Sequence, residues 1–277
     1  MQRGITELVL VQTDLLGSIE AANQAGYDAL ELRASVIADF LAQGHRADEV
    51  RRAFEAVSVR PHAIGVIENI DLPESASGDG VVAFCHQMCA FAEEIRCPNV
   101  QVLSGTTLAG KPWATICKET ATGLRRMADI ASGYGITLVY EPLAWRPVRR
   151  VEQAVEIIAE ANRPNIGVLL DTFHIFAGGD DLEMIRQLDP RLMPTVHKGD
   201  AVASGRGWSD ADRYVMPGDG IVPLQEILRA ILDTGYNGVI SDEVLPRPDL
   251  GKEPGQVARL VKAKGDAILQ SVYAASH

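Results

Sequence analysis

The residues of this chain best suited to chemistry stand just behind short apolar runs. Glu141 ends TLVYE. Asp171 ends GVLLD, and His174 follows three residues later. His197 ends PTVH, with Lys198 and Asp200 close behind. Asp242 and Glu243 end GVISDE. Earlier in the chain, ALELR carries Glu31 and Arg33. Any one of these is ordinarily a solvated loop residue or a helix cap. Four successive runs ending in Glu, Asp, His and Glu are harder to assign to chance. If the runs are neighbouring strands, their ends lie about 5 Å apart. Carboxylates gathered so closely repel unless a cation sits among them. A divalent metal meets that need, and oxygen donors with one imidazole suit Mn²⁺, Mg²⁺, Co²⁺, Fe²⁺ or Zn²⁺.

The elements that position these groups follow from periodicity. Strands are expected over 5–11, 29–32, 61–66, 100–103, 137–140, 167–170, 193–196 and 238–241. Helices are expected over 14–25, 46–56, 81–95, 114–132, 151–161, 182–187, 223–234 and 256–273. In the last, Val257, Leu260, Val261 and Ile268 keep helical spacing, with Lys264 the exception. Three joints, AGYDALEL, YGITLVYE and TGYNGVIS, place a glycine where a helix hands over to a strand. Glycine supplies the left-handed position that ends a helix. Such alternation predicts βαβ units, and eight strands in this length predict an α/β fold, a single (β/α)₈ TIM barrel over residues 1–277. In that fold the functional groups sit at the C-terminal ends of the strands. A doubly wound open sheet would carry a glycine-rich phosphate loop after its first strand, and none is present.

The 277 residues are 47% hydrophobic and 23% charged, with a formal net charge of -11. An acidic chain repels phosphate backbones and anionic membrane surfaces, so no nucleic acid and no membrane is expected as a partner. Four cysteines form no CxxC pair, and Cys85 and Cys89 are spaced to share one helix face as small core residues. The N-terminus lacks an apolar signal-peptide core, and a cytoplasmic location is expected.

The segment YEPLAWRPVRRVEQAVEIIAEANRPNIGVLLDTFHIFAGGD resembles the xylose-isomerase-like TIM-barrel superfamily of sugar isomerases and epimerases. PTVHKGD and DRYVMPGDGIVPLQEILRAILDTGYNGVISDEVL continue the likeness. GYDALELR and EVLPRPDLGK place it nearest to inosose (2-keto-myo-inositol) isomerase-like proteins. The resemblance implies one divalent metal, manganese among the candidates, held by Glu141, Asp171, His197 and Glu243. It implies substrate contacts from His174 and Arg213, and a turn at Pro217–Gly218 that aims Arg213 inward. Asp200 would orient the site or a metal-bound water. Trp145 could stack on a sugar ring or plug a loop. Lys198 could bind a carbonyl or carboxylate, or be a solvated loop residue. His62 is expected as a satisfied core histidine, and Glu68 and Asn69 as pocket lining. The resemblance also leaves room for a homo-oligomer.

Such a site suits proton abstraction beside a carbonyl, through a metal-stabilised ene-diolate. Glu141 and Glu243 would serve as general base and acid. The expected activity is isomerisation or epimerisation of a sugar-like or cyclitol ketone, with an inosose first. A dehydratase of 3-dehydroshikimate or inosose is the alternative. An endonuclease of the endonuclease IV type would need further early-strand histidines and a basic groove. A sugar- or metal-binding protein would bind without proton exchange.

Overall fold

The computed structural model describes residues 1–73, 78–203, 207–245 and 253–274, so EVLPRPDLGK lies mostly outside the described residues. Among these described residues, nine parallel segments form one sheet: β1 Gln2–Thr6, β2 Ala29–Arg33, β3 Arg60–Ile67, β4 Asn99–Val102, β5 Thr137–Tyr140, β6 Ile166–Val168, β7 Leu170–Asp171, β8 Thr195–Lys198 and β9 Val239–Asp242. Their order is β6-β5-β4-β3-β2-β1-β9-β8-β7. The two ends of this order are halves of one strand, split at Leu169, so the sheet closes on itself. Leu169 N still donates to Tyr140 O at 3.0 Å across the break. The expected eight-stranded barrel is therefore present, its sixth strand in two pieces.

The surrounding helices are α1 Leu15–Gln24, α2 Ala34–Ala42, α3 Ala47–Glu55, α4 Asp79–Ile95, α5 Trp113–Ser132, α6 Val151–Ala161, α7 Thr172–Gly178, α8 Leu182–Arg186, α9 Leu224–Asp233 and α10 Pro254–Ala274. No helix among the described residues is long and apolar enough to cross a membrane. α9 shows how the shell forms. It turns Leu224, Ile227, Leu228 and Ile231 to the sheet, and each buried aliphatic chain contributes about 1.5–3 kcal/mol. Gly26, Gly135 and Gly235, the glycines of the three joints, have φ of 75°, 68° and 88°, the left-handed cap that only glycine adopts cheaply. Cys85, Cys89, Cys97 and Cys117 are buried and free.

Four expectations need correction. The first strand stops at Thr6, and Glu7–Leu10 form a 3-10 turn, because the buried Glu7 carboxylate accepts the Arg33 backbone N–H at 2.8 Å and draws the chain inward. α2 and α7 were not foreseen. α7 starts directly on Asp171, whose Oδ1 accepts the Phe173 N–H at 2.7 Å as an N-cap. On α10 the buried stripe is Val257, Ala258, Val261, Gly265, Leu269 and Val272, with Leu260 and Ile268 only half-buried. The stripe turns on Gly265, where a Cβ would meet Asp242 Oδ1 and Lys198 Nζ at 2.4 Å.

Asp180, after α7, yields a stability prediction. Its Oδ1 accepts the Val151 N–H at 2.7 Å, while its Oδ2 is buried without a partner. Burial pushes its carboxyl from 3.8 up to about 7. A raised carboxylic pKa costs nothing below the unfolded value. The cost then grows as pH rises toward the folded value, because only the unfolded chain ionises freely. Asp180→Asn keeps the acceptor for Val151. Its thermal midpoint should exceed wild type by an increment that grows from about pH 4 to about pH 7 and is constant above, as read by melting scans across pH.

Candidate active site

Parallel register brings the functional residues together. Asp171 pairs with His197, His197 with Ser241, and Lys198 with Asp242. Successive side chains along a strand face opposite ways, so His197 and Glu243 point into the barrel while Lys198 and Asp242 point out. A cavity of about 380 Å³ opens at the C-terminal ends of the strands. It is lined by Glu31, Arg33, Glu68, Gln101, Glu141, Trp145, Arg146, His174, His197, Arg213 and Glu243, among others.

Donor atoms converge at its floor in two overlapping triads, Glu141–Asp171–His174 and Asp171–His197–Glu243, each within 4.8 Å. The four residues expected to hold a metal are thus joined through Asp171. Arg213 reaches the same point. Its Nη2 donates to Asp171 Oδ2 at 2.7 Å and also to Glu243 Oε2. Its guanidinium lies 5.0 Å from the centre of the Phe173 ring.

Crowding sets the charges. Burial, reinforced by repulsion from Glu243 and Asp171, pushes Glu141 up to about 8. Burial and the Glu243 charge raise Asp171 to about 6, against the pull of Arg213. Burial also works against ionised Glu243, but Arg213 and His197 outweigh it and hold its carboxyl well below the usual range. The cavity thus holds one carboxyl that resists ionisation and one that favours it. Gln101, unremarked in the sequence, donates from Nε2 to Glu141 Oε2 at 2.6 Å and fixes that carboxyl.

His174 is buried at the cavity wall. Its Nδ1 accepts the Ala144 N–H at 3.2 Å, which assigns the ring proton to Nε2 over the longer 3.5 Å contact there with the donor-only Arg213 Nη1. Burial, then the Arg213 charge, lower its pKa well below the ordinary value, so it is a neutral donor. Trp145 packs edge-on to it, centroids 4.8 Å apart, and forms part of the wall. Arg146 lines the cavity and donates to Glu68 at 3.1 Å.

Other expected site residues lie elsewhere. Lys198 is 1% exposed and its Nζ pairs with Asp242 Oδ1 at 3.0 Å beneath α10; it does not line the cavity. Asp200 orients no group in the cavity. It accepts the backbone N–H groups of Gly218 and Gly220 at 2.9 Å each and of Val222 at 3.0 Å. It thereby clamps the loop that carries Arg213 inward. Asn69 is absent from the lining, whereas Glu68 is present. His62 is only partly satisfied as a core histidine, since its Nε2 is buried without a partner.

One atom tests whether these residues fit a metal ion. His197 Nδ1 is buried and makes no hydrogen bond. It faces Glu243 Oε1 at 3.3 Å in an ion pair. Burial opposes charge on the ring, but the Glu31 and Glu243 carboxylates outweigh it and raise its pKa well above the ordinary value, so the position calls for a positive charge. A buried imidazole nitrogen left bare among carboxylates is a ligand's arrangement. The donor set fits.

A closed parallel barrel with its polar cluster at the C-terminal mouth defines a class, and the chain belongs to the xylose isomerase-like TIM barrel family, whose model matches residues 19–262. Among curated proteins it is 26% identical to the inosose isomerase of Halalkalibacterium halodurans over 242 residues, 87% of this chain and 86% of that one. It is 32% identical to the 3-dehydroshikimate dehydratase of Pseudomonas aeruginosa over 127 residues, 45% of this chain and 20% of that one. Among solved structures, IOLI protein with a binding zinc atom superposes with a TM-score of 0.91 at 23% identity, covering 98% of this chain and 99% of that one. At that identity the likeness concerns the fold.

Proposed function

We propose that this chain is a divalent-metal-dependent isomerase or epimerase of a sugar-like or cyclitol ketone, with an inosose as the first substrate to test. The observation that carries the reading is the buried His197 Nδ1, without a hydrogen bond, clustered with Asp171 and Glu243 and joined to Glu141 through Asp171. The match to an inosose isomerase along most of both chains supports the substrate class. The zinc in IOLI protein supports a metal without selecting which one.

Glu141, Asp171, His197 and Glu243 would hold the ion. When bound there it supplies Lewis acidity, which strengthens the carbon acid beside a carbonyl enough for a carboxylate base. Glu141 and Glu243 follow β5 and β9, on different sides of the cluster. One takes the proton and the other returns it. Return to the former carbonyl carbon, with the adjacent hydroxyl proton passing to the former carbonyl oxygen, is isomerisation, and return to the opposite face of the same carbon is epimerisation. His174 Nε2–H donates to a substrate oxygen, as does Arg213 from the clamped loop. Trp145 offers an apolar edge to the carbon face of a ring, and the cavity walls limit water.

Product identity tests the reading. The metal-loaded protein is offered inososes, ketoses and 3-dehydroshikimate, and products are followed by proton NMR. An isomeric ketone from an inosose is expected. Accumulation of an unsaturated product with loss of a hydroxyl would make it a dehydratase. Binding of an inosose without any turnover would leave a binding protein.

A further inference from the structure

Glu31 is a carboxylate set inside the barrel between Leu30 and Leu32 of β2, and the proton chemistry above makes no use of it. It is buried. Its Oε1 accepts from Thr195 Oγ1 at 3.0 Å and from Ser241 Oγ. Its Oε2 contacts His197 Nε2 at 3.0 Å. Three groups from β8 and β9 therefore turn toward one acceptor-only carboxylate on β2. Gly4 makes the space, since a Cβ there would stand 2.2 Å from Ser241 Oγ.

An ionised carboxylate has no proton to donate, so the contact requires the hydrogen on His197 Nε2. With Nε2 taken up by that hydrogen, Nδ1 is the one ring nitrogen able to offer a lone pair to a cation. That is the atom left without a hydrogen bond beside Asp171 and Glu243. Nε2 is closed to a cation because Glu31 covers it. Thr195 and Ser241 hold the opposite oxygen and keep the carboxylate from turning away.

We infer that Glu31 is a positioning residue for the metal centre: it fixes the tautomer and orientation of His197 so that Nδ1 is the ligand atom. The inference rests on the metal reading proposed above. Histidine ligands commonly donate their other N–H to a carboxylate, and loss of that partner weakens metal binding 10–100-fold.

Zinc(II) is the probe. In wild type labelled with ¹⁵N-histidine and loaded with one equivalent, NMR should show His197 protonated at Nε2 and coordinated through Nδ1. In Glu31→Gln, which retains a neutral acceptor of the same shape, zinc affinity should fall about 10–100-fold against a chromophoric chelator, with the circular dichroism spectrum of wild type. Should the variant fail to fold, the wild-type NMR result decides. Zinc coordinated through Nε2, or an unchanged affinity in folded Glu31→Gln, overturns the inference and leaves the metal reading standing. A wild type that binds neither zinc(II) nor manganese(II) overturns the metal reading, and this inference with it.

Discussion

Glu243→Gln, loaded with metal, should turn over its substrate on the order of 10³-fold more slowly than wild type, with a much smaller change in KM. Glutamine keeps the size of the side chain and an oxygen for Arg213, but it cannot take a proton. Glu141→Gln should lose a comparable factor, because the proton removed on one side must be returned on the other. Both residues line the cavity, and Gln101 can still hold an amide at position 141. Both are also proposed metal ligands, so metal content must be measured with each rate. A loss that persists at full occupancy belongs to proton transfer. Either variant retaining activity within tenfold of wild type at full occupancy would remove that residue from the proton relay.

The largest stability effect is expected outside the cavity. Lys198→Met should destabilise the fold by about 3–5 kcal/mol, the usual result of breaking a buried pair on one side. Lys198 and Asp242 are 1% and 3% exposed, their charged atoms lie 3.0 Å apart, and α10 closes over them at Gly265. Without the ammonium, Asp242 keeps, among the described residues, only the Tyr27 hydroxyl, at 2.9 Å. Burial already raises its pKa, and Lys198 is the main influence pulling it down. The variant should therefore suffer most above the ordinary carboxylate range and recover as pH falls toward it. Lys198→Met with Asp242→Asn should restore most of the loss, because no bare charge is left behind. Urea unfolding of the three proteins checks this. A single variant within about 1 kcal/mol of wild type would show the pair to be dispensable, and a KM effect in a stable variant would return Lys198 to the substrate.

The two halves of HKGD show what a sequence can and cannot disclose. Eight apolar runs separated by helical stretches define the barrel, and polar groups behind them mark its mouth. Which of two adjacent polar residues faces inward depends on strand parity. His197 and Lys198 are neighbours on β8 with opposite fates, decided by pairing to Ser241 and Asp242. Asp200 reads as a site residue because it is three positions from His197, yet three of its partners lie 18 to 22 residues downstream in a loop. Such long-range closure leaves no local pattern. Asp171 hid α7 for a related reason: one oxygen caps the helix while the other faces Arg213, and a dual role is not visible in residue type. Glu31 was conspicuous between two leucines, but its bond to His197 spans 166 positions.

The most direct test of the metal-assisted proton relay is deuterium exchange at the carbon beside the carbonyl of an inosose in D₂O. Wild type carrying one equivalent of a divalent metal should exchange that proton, stop when a chelator removes the metal, and resume when the metal is restored. Exchange that continues undiminished after chelation, or no exchange from protein with one equivalent bound, would contradict it.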